Sequence, residues 1–471
     1  MRRELYLELG PDLSRLAAVE DGLLCEYAQE RAGERKQTGS IYKGRVQRVL
    51  SGMQAAFVDV GLEKNAFLPV HAGEVRAGDE LLVQVEADPP GGTKGLRLTR
   101  RIALPGRLCV LSPGEAGVRV SRKLPEAERA RLLESCRDAC PEGCALVLRT
   151  QAAQADAREI EEEARLLAQR WREIERAYAM RGAPGLVWQE EGLFSRMLRD
   201  LLTPETVRVC VQGAAQALPA WVPEGVVQRV ADGMPLFDLA GIEQKLERAL
   251  ERRVWLDCGG YLVIDCCEAL TVIDVNSGKC TGRTDLEETA LKVNLEAARE
   301  AVRQLRLRDI GGIVVIDFID MKDGAHNAAL LEALREAAAA DRAKVHIVDM
   351  TPLGLVELTR KRLASPLHEQ LERPCPVCGG SGRVPGVEET ARRALLQARR
   401  RAAGGSEAAL LVRVHPSAQE ALCALHAPAG CAVYALADAR MRPGTFALTA
   451  LCTGEALPAE AIPLPSLNRK E

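Results

Sequence analysis

The sequence predicts a multidomain α/β protein, and three features carry that prediction. Tyr261 to Met321 contains two runs rich in Val and Ile, YLVIDCCEALTVIDVNSG and GGIVVIDFIDM. Between them a segment has apolar residues at Leu291, Leu295, Ala298, Val302 and Leu305, the spacing of a helix with one buried face. That is a strand, a crossover helix and a strand. Residues 37–100 hold short apolar runs separated by glycine turns, as in a small β-barrel. A chain of 471 residues is also too long for one core, and length alone suggests about three domains.

Hydrophobic content of 47% and charged content of 27% are those of a soluble globular protein. With a net charge of -3, any nucleic-acid contact has to come from local patches. There is no long apolar run and no signal-peptide core at the N-terminus, so a cytoplasmic protein is expected. Fifteen scattered cysteines in such a chain point to reduced thiols rather than a disulfide framework.

Residues 1–36 alternate apolar and polar around a turn at Glu20, Asp21 and Gly22. This meander is too small to bury its own core and is expected to join a later sheet. In residues 37–100, YKGRV, AAFVDVG, AFLPV and GDELLVQV resemble an OB-fold of the S1 type. Phe57 and Phe67 could stack on bases there, with Lys43, Arg45 and Arg48 following the phosphates, or the two rings could fill the barrel core. The strand CALVLRTQA brings Arg149 and Thr150 to its tip, a fork of donors beside a hydroxyl that suits a terminal phosphate; an ordinary surface arginine is the alternative. Cys136 and Cys140 read as helix residues. A long helix follows, Asp156 to Met180, with Ile160, Ala164, Leu167, Trp171, Ile174 and Tyr178 as its stripe. Residues 186–253 supply the strand TVRVCV and the helices SRMLRDLL and IEQKLERALE, without a catalytic acidic cluster.

In the strand–helix–strand unit each strand carries aspartate near its C-terminal end, Asp274 on the first and Asp317 with Asp320 on the second. Carboxylates in strands buried on both faces are costly unless paired or metal-bound, and ligand sites in open α/β sheets lie at the carboxyl ends of strands. Two such ends can hold Mg²⁺ or Mn²⁺; helix capping or pairing with arginine is the other explanation. Alternation puts Asp317 on the face opposite Ile316 and Phe318, but spacing does not choose between Asp317 and Asp320. Beyond Met321 a helix from Ala325 to Ala340, the strand VHIVDM and a helix LGLVELTRKRL are expected. Arg342, Lys344, Arg360, Lys361 and Arg362 would place positive charge near the carboxylates, or simply form a solvated helix face.

Cys375 and Cys378 in RPCPVCGGSG form a knuckle with two thiolates, where structural zinc wants four ligands. Distant cysteines or a second chain would have to complete it, and a redox C-x-x-C is the alternative. The chain closes with a basic segment (Arg392, Arg393, Arg399, Arg400, Arg401), a flexible AAGGSEAA, and a small αβ domain made of LLVRVHP, a helix from Ser417 to Leu425, CAVYALAD and TFALTAL.

EALTVIDVNSG, EETALKVNLEAAREAVRQLRLRDIGGIVVIDFIDM and PCPVCGGSG, in this order and within a likeness over nearly the whole chain, resemble the ribonuclease E/G family of endoribonucleases. The resemblance implies a ribonuclease-H-like subdomain split between 1–36 and 186–253, with the S1-type barrel 37–100 inserted. It further implies a 5′-sensor region with the long helix at 101–185, a deoxyribonuclease-I-like catalytic α/β subdomain at 254–370, a zinc knuckle at 371–385 and a small domain at 386–471. It assigns Asp274 and Asp317 to catalytic Mg²⁺ with Asn276 beside them, Phe57 and Phe67 to RNA, and Arg149 with Thr150 to a 5′-monophosphate. Cys375 and Cys378 would take Zn²⁺ shared between protomers of a homodimer or dimer of dimers. The expected activity is cleavage of single-stranded RNA to a 5′-phosphate and a 3′-hydroxyl, in rRNA precursor processing and mRNA decay. Where the family's sensor pocket continues with a glycine-containing loop this chain has QAAQAD, a departure that bears on the sensor alone. No long acidic or arginine-rich tail is expected, which favours the ribonuclease G side of the family over the ribonuclease E side. Two rivals remain: an RNA-binding protein without catalysis, and a nucleotide-dependent enzyme using VNSGKCTG as a phosphate loop. The second lacks the required glycine and hydroxyl, since Ile273 and Cys280 stand at those positions.

Overall fold

The N-terminal meander is completed by residues far along the chain. Strands Arg3–Leu9, Leu13–Glu20 and Leu23–Arg31 run antiparallel. Strand Thr206–Gly213 adds in parallel to the first, with Leu5 opposite Val209, and Val227–Val230 lies beyond it. Successive side chains point to opposite faces of a strand. Leu5 and Leu7 therefore pack with Met197, Leu198 and Leu201, whereas Tyr6 packs with Phe237, Ile242 and Leu246. The computed structural model describes all residues except 1, 32, 34–36, 72, 89–94, 214–217, 220, 281–285, 405–408, 429, 453–455 and 467–471. The middle of the AAGGSEAA stretch and the end of VNSGKCTG thus lie outside the described residues.

The inserted segment closes into a five-stranded barrel from Ile41–Leu50, Ala55–Asp59, Ala66–Pro69, Arg97–Thr99 and Glu80–Ala87, with Tyr42 opposite Val83 sealing first to last. Val46, Ala56, Val58, Leu68, Val83 and Leu98 fill it. Strand Gly185–Trp188 pairs onto Ile41–Lys43 of this barrel, so the stretch just after the long helix belongs with the barrel and not with the split sheet. Strands Leu104–Pro105, Cys109–Pro113, Gly117–Val120 and Cys144–Leu148 form a separate sheet. Helix Ala157–Met180 backs it and buries Ile160, Ala164, Leu167 and Ile174. The expected helix through Cys136 and Cys140 stops earlier: helix Glu126–Ser135 ends with Cys136 as its C-cap, and Cys140 lies in the bend before Pro141.

The strand–helix–strand unit forms as expected, within a six-stranded sheet ordered 253–255, 261–266, 270–276, 312–317, 355–360, 345–350. Strands Leu270–Asn276 and Gly312–Asp317 are parallel, joined through helix Leu286–Leu307. The stripe that this helix buries is built mainly of small residues, Ala290, Val293, Ala297, Ala298 and Ala301 with Val302 and Leu305, and Leu291 and Leu295 flank it half-buried. Small side chains let the helix axis approach the sheet closely. LGLVELTRKRL is not a helix. Leu355–Arg360 is a strand inserted antiparallel beside Asp317, with Val356, Leu358 and Arg360 buried and Glu357 and Thr359 exposed, a period of two.

The chain divides into two units, Met1–Gln370 and Leu371–Glu471. In the second, strands Ala409–Val414, Ala432–Ala437, Phe446–Leu451 and Ile462–Pro463 pack through Leu410 and Val412 against Ala391, Leu395 and Ala398 of helix Val387–Gly404 and Ala418 and Leu422 of helix Pro416–Cys423. No helix among the described residues is long and apolar enough to cross a membrane.

A buried ionic cluster ties the split sheet to the crossover helix. Arg306 gives Nε to Glu26 at 2.7 Å and both Nη atoms to Glu20 at 2.8 and 2.9 Å. Arg3 adds a 2.9 Å bond to Glu20, and Arg342 a 2.6 Å bond to Glu26. Burial pushes the Glu20 carboxyl up, but the hydrogen bonds and charge of Arg306, then of Arg3, outweigh it and hold its pKa below the ordinary 4.5. A carboxylate depressed in the folded state stabilises above its unfolded pKa, and that contribution disappears as pH falls through the folded value. Glu20→Gln should therefore cost about 3–5 kcal/mol, because Arg306 and Arg3 keep their charges and lose the carboxylate that they share. Urea unfolding should show this loss at pH 7, with the gap to wild type narrowing below pH 4.5; equal stabilities at pH 7 would contradict it.

Candidate functional site

In the parallel register Asp274 stands directly opposite Asp317. Adjacent strands lie about 4.8 Å apart, and paired residues share a face, so the two carboxylates are neighbours. Both are exposed, which differs from the expectation of a strand buried on both faces. The sheet is covered on one face, where Ile273, Val275, Val314 and Ile316 meet Val293, Ala297 and Leu330 of the helices. On the other face Asp274 and Asp317 reach solvent between half-buried Val272 and Val315. Asn276 Nδ2 donates to Asp274 Oδ2 at 2.8 Å, which orients that carboxylate. Asp320 is exposed past the strand end, against the turn at Gly354, so Asp317 and not Asp320 is the residue brought to Asp274.

Two negative charges side by side in water call for a cation. Mg²⁺ is usually held by one or two carboxylates together with waters and substrate phosphates, so this donor pair fits it. Among the described residues no group of three or more His, Cys, Asp or Glu side chains converges on one point, and here the chain itself offers two oxygen donors.

The segment beyond Asp317 is held by a residue that periodicity concealed. Asn294, fully buried in the crossover helix, donates Nδ2 to the Ile319 carbonyl at 2.8 Å and accepts from the Ile319 N–H at 3.0 Å. Glu287, on the first turn of the same helix, accepts from the N–H groups of Lys322 at 2.8 Å and Asp323 at 3.0 Å. The available signal was an asparagine sitting inside an apolar stripe.

On the barrel, Phe57 and Phe67 are cross-strand partners with ring centroids 6.5 Å apart at 74°. Their neighbours Ala56, Val58, Ala66 and Leu68 point into the core, so alternation turns both half-buried rings outward. Arg45 and Arg48 are exposed, and Arg48 pairs with Phe57 in the ladder. Lys43 does not share this surface. It is 8% exposed, donates Nζ to the Arg181 carbonyl at 2.7 Å, pairs with Glu80 at 2.8 Å and lies over the Tyr178 ring. A lysine so engaged fastens the long helix to the barrel and is no phosphate contact. Of the cations expected beyond Met321, Lys344 and Arg360 also lie away from the carboxylates. Val345 pairs with Arg360, five residues along the strand from Leu355 opposite Asp317, and exposed Lys344 is one residue further out, roughly 20 Å from the carboxylate row. Arg360 is buried on Asp341 and Asp309, both at 2.7 Å.

Arg149 leaves its strand with a guanidinium divided between the Gly106 carbonyl, at 3.0 Å, and the Asp200 carboxylate. Thr150 is exposed and opens the short 3-10 turn Thr150–Gln154 formed by the QAAQAD segment. The adjoining loop is anchored by Glu163, which accepts from the N–H groups of Arg107 and Leu108 at 2.7 Å and Cys109 at 2.9 Å. A phosphate reaching Arg149 would have to replace Asp200.

In the knuckle Gly379 N–H bonds the Cys375 carbonyl at 2.8 Å and Gly382 N–H points at Cys378 Sγ at 3.3 Å. Gly379, Gly380 and Gly382 take φ of +62°, +93° and +67°, a path that favours glycine. Hydrogen bonds from the Cys378 and Val377 backbones lower the Cys375 pKa, favouring the thiolate that a metal needs. The turn presents two cysteine sulfurs, half the number of ligands that a structural zinc site uses.

The model of the ribonuclease E/G family matches residues 103–363. Ribonuclease G of Salmonella typhimurium (strain SL1344) is 38% identical over 421 residues, covering 82% of this chain and 86% of its own length. Ribonuclease G of Escherichia coli (strain K12) is 38% identical over 419 residues with the same coverage. Ribonuclease E of Nostoc sp. (strain PCC 7120) is 39% identical over 383 residues, 75% of this chain and 56% of its own length. The ribonuclease G relatives are thus matched over more of their length, in line with the side of the family expected from the sequence.

Asn294→Ala should destabilise the fold by about 1–3 kcal/mol, since it strands a buried N–H and carbonyl at Ile319. Denaturant unfolding reads this directly, and an unchanged midpoint would mean that the Ile319 peptide finds other partners.

Proposed function

We propose, for a chain that belongs to the ribonuclease E/G family, that it is an endoribonuclease cutting single-stranded RNA at the Asp274–Asp317 row. The observation that carries this is the register that puts these two exposed carboxylates side by side, with Asn276 orienting one of them.

The roles follow from what each side chain can do. Phe57 and Phe67 offer outward rings on which bases of any identity stack, and Arg48 beside them follows the backbone. Asp274 and Asp317 would hold Mg²⁺, and Asn276 fixes the carboxylate geometry. Mg²⁺ bound there would supply positive charge for the attacked phosphate and lower the pKa of a water. In the overall hydrolysis a water oxygen adds to phosphorus and the bond from phosphorus to the 3′ oxygen breaks. The upstream product keeps a 3′-hydroxyl, which takes a proton, and the downstream product keeps the 5′-phosphate. Arg149 and Thr150 bind a 5′-monophosphate when Asp200 yields the guanidinium. Cys375 and Cys378 contribute two of four zinc ligands, with the same pair from a second chain completing the set.

One assay tests the first roles together. An A/U-rich RNA bearing a 5′-monophosphate or a 5′-hydroxyl is incubated with Mg²⁺ and the wild type, Asp274→Asn, Asp317→Asn, Arg149→Gln or Phe57→Ala. Either aspartate substitution should lower kcat by at least about 100-fold, the scale for removing a group that stabilises transition-state charge. Arg149→Gln should erase the monophosphate preference without lowering cleavage of the hydroxyl substrate, and Phe57→Ala should act through KM. Wild-type binding without cutting would leave only an RNA-binding protein. The knuckle is tested separately by sedimentation: Cys375→Ser with Cys378→Ser should lower the assembly mass and the zinc content, and an unchanged mass would remove zinc from the interface.

A further inference from the structure

Beside the two carboxylates, the open face of the same sheet carries side chains that the hydrolytic roles do not use. Edge strand Arg253–Trp255 pairs antiparallel with Tyr261–Cys266, placing Trp255 opposite Tyr261 and Arg253 opposite Val263. Tyr261 in turn faces Asn276, and Val263 faces Asp274. Paired residues share a face, so Trp255, Tyr261 and Asn276 make one row, and Arg253, Val263, Asp274 and Asp317 make the next. Two strand spacings, roughly 10 Å, separate Trp255 from Asn276.

The side chains on this patch form a platform. The Trp255 and Tyr261 ring centroids lie 5.2 Å apart at 59°. The Arg253 guanidinium sits 4.5 Å from the Tyr261 centroid and 5.7 Å from that of Trp255. Trp255 is 56% exposed, although its chain neighbours Val254 and Leu256 are buried in the core. Packing therefore does not account for an indole at this position. A large flat apolar surface with an arginine beside it is what an unpaired nucleobase and its phosphate recognise. The position also fixes which base is meant, because Asn276 joins the platform to the carboxylates without an intervening strand.

We infer that Trp255 and Tyr261, with Arg253, form a base-stacking subsite for the nucleotide flanking the scissile phosphate. This rests on the endoribonuclease reading and adds to it a contact outside the barrel. Stacking tolerates any base, so the subsite positions the strand and leaves sequence choice largely open.

The test uses the full chain and fluorescein-labelled single-stranded RNA oligonucleotides that carry one abasic site at each position in turn. Anisotropy without added Mg²⁺ gives affinities for the wild type, Trp255→Ala and Trp255→Phe, and cleavage with Mg²⁺ is followed in parallel. Trp255→Ala should weaken binding of intact RNA about 5- to 150-fold, the range for losing one stacked base. Trp255→Phe should retain most of the affinity. An abasic site at the contacted position should remove the difference between wild type and Trp255→Ala, and abasic sites elsewhere should not. Equal affinities, or a loss independent of abasic position, would overturn the subsite. So would a Trp255→Ala protein with unchanged RNA affinity and altered sedimentation, which would mean that a second copy covers this face. If the wild type shows the coupling but does not cut, the hydrolytic reading fails and the subsite stands.

Discussion

Arg306 makes one body of the split sheet and the crossover helix. The residue is 8% exposed and its guanidinium engages Glu20 and Glu26, themselves 8% and 2% exposed, while Arg3 and Arg342 supply the remaining charge. Such a cluster is weak evidence of net stability, because desolvation takes back much of the Coulomb gain. Its value is positional: a misplaced helix would leave a charge buried and unpaired. The same helix carries Asn294 at its middle and Glu287 at its first turn, both bonded to the backbone just after Asp317. Three polar anchors on one helix therefore set its distance from the N-terminal sheet and hold the chain leaving the second carboxylate strand.

The sheet that carries Asp274 and Asp317 is one-sided, and that decides which chemistry is open to it. Carboxylates buried on both faces would have to pay desolvation; on the open face Asp274 and Asp317 keep water access and can share a hydrated cation and a polymeric phosphate. A flat open face also suits a strand of RNA better than a closed pocket would. The barrel follows the same principle, with aliphatic residues sealed inside and Phe57 and Phe67 paired outside.

Much of this was legible in residues 261–321, where two apolar strands and an amphipathic helix fix the βαβ unit and three strand-end aspartates, Asp274, Asp317 and Asp320, supply the candidates. Elsewhere the sequence misled for identifiable reasons. LVELTR lies among helix-forming residues, and only the free edge beside Asp317 made its two-residue period decisive. Lys43 looked like a surface cation on a barrel strand because Glu80, Tyr178 and the Arg181 carbonyl are contributed by distant segments. Lys344 follows the two carboxylate strands in sequence, yet strand direction puts it at the opposite end of the sheet. The helix stripe held at Ala298, Val302 and Leu305, whereas Leu291 and Leu295 only flank it, because Ala290, Val293, Ala297 and Ala301 supply the rest of the buried face.

By itself the sequence determined which segments become strands and helices in the βαβ unit, that carboxylates were available at the ends of its strands, and that Cys375 and Cys378 share a glycine-rich turn. Those properties are local: hydrophobic period, residue type and glycine placement. Tertiary structure alone decided that Asp317 rather than Asp320 meets Asp274, that both face water, that Lys43 is a buried fastener, and that Trp255 and Tyr261 share a face with the carboxylates. Each of these depends on register between strands, and register is set by pairings and by buried polar contacts between residues far apart in the chain, which no local pattern encodes.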